Sequence, residues 1–200
     1  MSLDMQTLYI VMGVGCFLVS GELLFFQARK FRTEGVREWS TGYAFQGIYW
    51  IFLGLRGIIP DFFSIVVANT LLTANYSLLY AAGREFQHHS YKRDFLFLPT
   101  IVTFIFISFF WAYMDSIFLR AVYISLVSGI QMGFIASILL HEGPYQTSRS
   151  QLLTGSFFAM GSIVWLTWFL RLLVSPYQQV HLWRPSVCHH RKDSRPKSSG

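Results

Sequence analysis

Apolar stretches of about twenty residues alternate with short polar or charged segments along most of the chain. Charge clusters and proline or glycine breaks delimit six of them: residues 6–28, 40–59, 62–83, 95–114, 117–140 and 152–175. A bilayer core about 30 Å thick is crossed by roughly 20 helical residues, and the period-two alternation of a membrane barrel is not visible. Because lipid offers the backbone no hydrogen-bond partners, each stretch is predicted to be helical. The pattern predicts an all-α, polytopic transmembrane bundle of about six spans.

Composition supports this class. Apolar residues make up 53% of the chain and charged residues 13%, which is far from the balance of a soluble domain. The 18% of aromatic residues argues against a disordered chain, a collagen or a coiled coil. The lipid bilayer is therefore the expected partner. The two cysteines, Cys16 and Cys188, cannot form a disulfide framework.

The basic residues predict an orientation. Eight of those that precede the tail lie in the first, third and fifth loops, and the other three lie at helix ends on the opposite side. Since positive loops stay inside, the N-terminus is predicted to be outside. The opening MSLDM has no basic region, so the first stretch is expected to be retained as a span rather than removed as a signal peptide.

From Tyr177 onward the apolar stretches stop. This predicts two parts, a membrane bundle over residues 1–176 and a basic, disordered tail over 177–200. The tail carries four of the six units of net positive charge. The excess charge therefore does not indicate a nucleic-acid partner.

Small residues recur every four positions in the fifth stretch. They are Ala121, Ser125, Gly129, Gly133 and Ser137. Such a groove lets another helix approach closely, either within one chain or in a homodimer. The third stretch carries a similar stripe of small or hydroxyl residues, at Thr70, Thr73, Ala74, Ser77 and Ala81.

Three polar residues within the apolar stretches need partners: Glu22, Asn69 and Asn75. A carboxylate in a membrane helix usually faces the protein interior. Counted from the helix starts, Glu22 and Asn75 fall at similar depth, where they could hydrogen-bond. Two interpretations stay open for Glu22, a packing role and a proton- or ligand-linked role.

Three arginines and several tryptophans lie at predicted helix ends on the outer side. They are Arg56, Arg120 and Arg171 with Trp50, Trp111 and Trp168. Arginine binds carboxylates with a planar fork and stacks on rings, so this rim is a candidate site for an anionic or aromatic ligand. The alternative is that the arginines snorkel, the tryptophans form an interface belt, and Asp61 and Asp115 pair with the arginines.

Motifs for catalysis and metal binding are lacking. The chain has no P-loop, no dinucleotide-binding glycine pattern, no GxSxG elbow and no HExxH. The histidines and the second cysteine match no structural zinc spacing. They are His88, His89, His181, Cys188, His189 and His190. The prediction is a non-enzyme with neither cofactor nor metal.

The basic first loop ARKFRTEGVREW and the third stretch ending in LLYAAGREFQ resemble the N-terminal membrane region of bacterial diguanylate cyclases, the GGDEF-domain signalling proteins. The resemblance covers about Met5 to Pro176. It implies an input unit of the bacterial inner membrane that senses an unknown small-molecule signal, here without the cyclase domain. Under this hypothesis the tail reflects a truncation or a disrupted reading frame of a longer sensor.

Two other functions stay open. A small-solute transporter or channel would use the polar set Glu22, Gln46, Asn69, Asn75 and Gln131 to line a path across the bundle. An intramembrane enzyme is disfavoured, because no pair of catalytic residues is recognisable.

Overall fold

The computed structural model describes residues 4–28, 35–87, 93–114, 116–140 and 149–174. Within these ranges the chain is all-helical and contains no β-strand, which confirms the predicted class. Six helices are formed: α1 (Met5–Ala28), α2 (Val36–Gly54), α3 (Phe62–Phe86), α4 (Leu98–Met114), α5 (Ile117–Leu140) and α6 (Arg149–Val174). A single helical turn, Arg93–Leu96, precedes α4. The tail after residue 174 and most of the basic first, third and fifth loops lie outside the described residues.

Four helices are long and apolar enough to cross a membrane: Met5–Ala28, Phe62–Phe86, Ile117–Leu140 and Leu152–Val174. Helix α4 is apolar but shorter. Helix α2 has 19 residues and a polar first half that includes Arg37 and Glu38. Four helices in the described ranges therefore meet the length and composition of a membrane span, and the count of about six spans stays a prediction.

The ends of α2 and α4 differ from the predicted ends for local reasons. Helix α2 finishes at Gly54, and a tight turn follows in which Gly57 has φ +89°. Helix α4 begins at Leu98, with Pro99 in its first turn. Proline suits that position, since the first amides of a helix have no intrahelical partner.

Helix α3 is the centre of the bundle. It packs against α2, α4 and α5, while α1 packs mainly on α2 and α6 on α5. The core is built mainly from apolar side chains of α3 and α5, including Val66, Leu72 and Ile135, and Ile107 of α4, Tyr49 of α2 and Phe158 of α6 complete it. The outer helices α1 and α6 expose most of their apolar side chains. Those exposed faces suit contact with lipid chains.

Helices α1 and α2 form an antiparallel pair through two rows of residues spaced seven apart. On α1 the row is Gln6, Gly13 and Ser20; on α2 it is Ser40, Gly47 and Gly54. A Cβ on Gly13 would lie 3.0 Å from the Gly47 carbonyl oxygen. The Ser20 and Ser40 hydroxyls each donate to the other residue's carbonyl oxygen at 2.9 Å. Close approach of this kind is how helices associate where the hydrophobic effect is weak.

Two wide, π-helical segments lie side by side. One is the first part of α3, Phe62–Val67, and the other is the end of α4, Phe110–Met114. The rings of Phe62 and Trp111 meet edge to face across them, with centroids 5.6 Å apart. Wide turns of this kind often occur at functional sites, and the segment in α3 forms part of the cleft described next.

Candidate functional site

A cleft of about 170 Å³ opens where α2 ends and α3 and α5 begin. Four polar side chains line it: Arg56, Ser64, Asn69 and Arg120. The remaining lining residues are apolar: Leu53, Ile65, Ile117, Ala121 and Ile124. The cleft therefore joins two positive charges and two uncharged polar groups to an apolar wall.

The two arginines differ in exposure. Arg56 lies in the turn after α2 and is exposed, and its carbonyl oxygen accepts a hydrogen bond from the Gln6 side chain at 3.4 Å. Arg120 lies in the first turn of α5 and is only 7% exposed. Ser116 caps that helix, since its hydroxyl accepts from the Leu119 amide at 3.3 Å. Arg56 is thus at the mouth of the cleft and Arg120 in its wall.

The wide turn of α3 forms part of the lining of the cleft. The Asn69 side chain donates to the Ile65 carbonyl oxygen at 2.6 Å, and the Thr70 hydroxyl to that of Val66 at 2.8 Å. The first of these bonds holds the Asn69 side chain against its own helix. Its amide oxygen stays available as an acceptor, and its second amide hydrogen stays available as a donor.

The predicted rim of three arginines and three tryptophans is not assembled as one site. Arg171 lies on α6, outside the cleft, and its guanidinium is 5.8 Å from the centroid of the Trp168 ring. Trp50 stacks on Tyr9 at 5.6 Å between α2 and α1, and Trp111 packs on α3 as described above. All six of these arginines and tryptophans lie near helix ends in the sequence. The way in which the helices pack places them at different positions in the bundle.

Asn75 and Glu22 do not pair with each other. Asn75 is fully buried and its amide donates to Gln46 Oε1 at 3.4 Å, while Glu22 is exposed on α1. The physical reason is the helix order, because α2 separates α1 from α3.

A buried polar cluster lies between α3, α4 and α5. The Gln131 amide donates to the Thr73 carbonyl oxygen at 3.3 Å and to the Ser77 hydroxyl at 3.4 Å. Ser77 is 3.5 Å from the hydroxyl of Thr100 on α4. The Thr73 hydroxyl in turn lies 3.4 Å from the Asn69 carbonyl oxygen. Polar contacts therefore run from the cleft into the centre of the bundle along one side of α3.

The small residues of α5 have divided roles. A Cβ on Gly129 would lie 2.9 Å from the Leu166 side chain, and the Ser162 hydroxyl donates to the Gly129 carbonyl oxygen at 2.8 Å. Ser125 is buried, whereas Ser137 is exposed and donates to the Phe134 carbonyl oxygen. Ala121 lines the cleft. The middle of the groove thus serves helix packing within the chain, against α6.

Two contacts were not foreseen from the sequence. They are the Ser20–Ser40 pair and the 3.2 Å contact between the hydroxyls of Thr103 and Tyr123. The spacing of seven residues in α1 and α2 indicates the first. The second depends on which helices become neighbours.

Among the described residues no three His, Cys, Asp or Glu side chains come together as a metal site would require. The histidines singled out above and Cys188 lie outside the described residues. Comparisons with protein-family models, with curated proteins and with solved structures find no match to this chain.

Proposed function

We propose that this chain is a sensory input unit of a bacterial inner membrane, with six spans and its N-terminus outside, resembling that of diguanylate cyclases. In this orientation the cleft opens on the outer side, because α2 ends there and α3 begins there. A signal molecule bound in the cleft biases the packing of α3, and the change reaches the opposite end of that helix. The proposed unit has no catalysis of its own.

The observation that carries this proposal is the position of the cleft. It is lined by the first part of α3, the helix that contacts α2, α4 and α5. Polar contacts continue from Asn69 through Thr73 to Gln131. A ligand can shift a helix packing only if it binds one arrangement more tightly than another, and a cleft between three helices supplies such a difference.

The proposal predicts that a change in the cleft alters the far end of α3. Asn69→Leu removes the polar group, and hydrogen exchange is measured on the full chain in lipid nanodiscs. Residues 81–86 lie 12 to 17 positions away, roughly 18–26 Å along the helix. We expect their exchange to change several-fold. Thr103→Val is the matched control, since it removes a buried hydroxyl of α4 that contacts Tyr123 rather than the cleft. A change confined to the residues around position 69 would contradict the sensory proposal.

A transporter or channel is the alternative. It would need a path past Asn75 and Gln131, both of which are buried. Vesicles containing the full chain test it directly through the decay of a proton or sodium gradient. We expect decay at the rate of protein-free vesicles, whereas faster decay that Gln131→Leu abolishes would favour transport.

A further inference from the structure

We infer that the cleft binds the head group of a small amphiphilic anion, a carboxylate or phosphate that carries a short hydrocarbon chain. The inference rests on the proposed function, because it names the class of signal that the sensory unit would take. It concerns the residues of the cleft and needs no contribution from Arg171 or from the tryptophans.

The polar side of the cleft selects a negative charge. Arg56 and Arg120 both line it, and arginine donates two parallel hydrogen bonds to one carboxylate or phosphate group. Arg120 is more than nine-tenths buried, so an anion beside it is shielded from water and is attracted more strongly than at an exposed site. The amide of Asn69 adds a neutral donor.

The apolar part of the lining selects an apolar chain. It consists of aliphatic side chains from three helices, including Leu53, Ile65 and Ile124. None of the described residues that line the cleft is aromatic, so it offers no ring on which an aromatic ligand would stack. The small volume also disfavours a nucleotide. A charged head group beside the arginines and a short chain against the aliphatic residues use both parts of the lining.

The experiment measures binding of sodium hexanoate to the full chain in nanodiscs of zwitterionic lipid by isothermal titration calorimetry. Hexanamide is the neutral probe of the same shape. We expect saturable binding of hexanoate and at least tenfold weaker binding of hexanamide. Equal binding of the two probes would overturn the inference.

Variants locate the site. Arg120→Gln and Arg56→Gln are each expected to weaken hexanoate binding about tenfold or more. Arg56 is exposed, so its variant keeps the test valid if loss of the buried arginine disturbs folding. Ala121→Phe fills the cleft and should abolish binding. Arg171→Gln is the matched control, and an equal loss in this variant would show that the anion binds elsewhere.

Two further arms separate the sources of the anion. Hexyl phosphate tests the phosphate head group, and nanodiscs that contain phosphatidylglycerol test whether a membrane lipid competes. If phosphatidylglycerol competes with hexanoate, the anion that the cleft binds is the head group of a membrane lipid. If it does not compete, the anion is a free amphiphile. Both results support the inference. Hexanoate binding without any change in exchange at residues 81–86 would overturn the sensory proposal alone. An exchange response to Asn69→Leu without binding of any of these anions would overturn this inference alone.

Discussion

The crossing of α1 and α2 allows a sharp test of how closely these helices approach. A Cβ added to Gly13 would lie 2.8 Å from the Ile51 side chain and 3.0 Å from the Gly47 carbonyl oxygen. The second neighbour is backbone and cannot rotate away. Gly13→Ala therefore forces the helices apart, at a cost of about 1–3 kcal/mol for overpacking.

Gly15→Ala is the matched control, because a Cβ at Gly15 meets nothing within 4 Å. Both variants replace glycine by alanine in the same helix, which by itself stabilises the helix by about 0.5–1 kcal/mol. This gain cancels in the comparison. We expect Gly13→Ala to have a free energy of unfolding about 1–3 kcal/mol below that of Gly15→Ala.

The assay is titration of the full chain from mixed micelles into sodium dodecyl sulfate, followed by tryptophan fluorescence. Trp50 stacks on Tyr9 across the same interface, so separation of α1 from α2 changes the signal. Gly47→Ala should couple with Gly13→Ala in a double-mutant cycle, since the two residues are in contact. Equal stability of the Gly13 and Gly15 variants would refute this close approach of α1 and α2.

Three further predictions use the same titration. Ser20→Ala removes one of the two reciprocal hydrogen bonds with Ser40 and should cost about 0.6–1.7 kcal/mol; no loss would show that the pair contributes nothing. Gly35→Ala should lower the free energy of unfolding by at least about 1–2 kcal/mol, because φ at this residue is +83°. The new Cβ would also lie 2.5 Å from the Ala82 carbonyl oxygen. A variant as stable as the wild type would contradict that contact. Glu22→Gln should change the free energy of unfolding by less than about 0.5 kcal/mol, since Glu22 is exposed. A larger loss would show that the Glu22 side chain contacts the protein interior.

Much of the secondary structure could be read from the chain alone. The apolar stretches predicted every long helix in the described ranges, because a helix that faces lipid must be apolar along its length. The end of α2 was placed too late, since Arg56 and Gly57 stand between apolar residues that the pattern counts as one stretch.

The candidate site was only partly predictable. Arg56 and Arg120 were singled out from their positions at helix ends, and the structure brings them together. Asn69 was noted as an isolated polar residue, yet it lines the same cleft. Arg171 shared the signal of the other two arginines but lies elsewhere. Position along a helix sets depth in the bundle, while the neighbour of a side chain depends on which helices pack together.

The sequence by itself determined the helices, the apolar surface suited to lipid, and the places where polar side chains interrupt it, because these depend on local composition and on backbone hydrogen bonding. Only the tertiary structure decided that α3 is central, that Asn75 meets Gln46 instead of Glu22, and that two arginines share a cleft with Asn69. Apolar residues on every side of a helix suit lipid and protein neighbours alike. Close contacts at a few small and polar residues therefore select the partners, and those contacts exist only once the helices have packed.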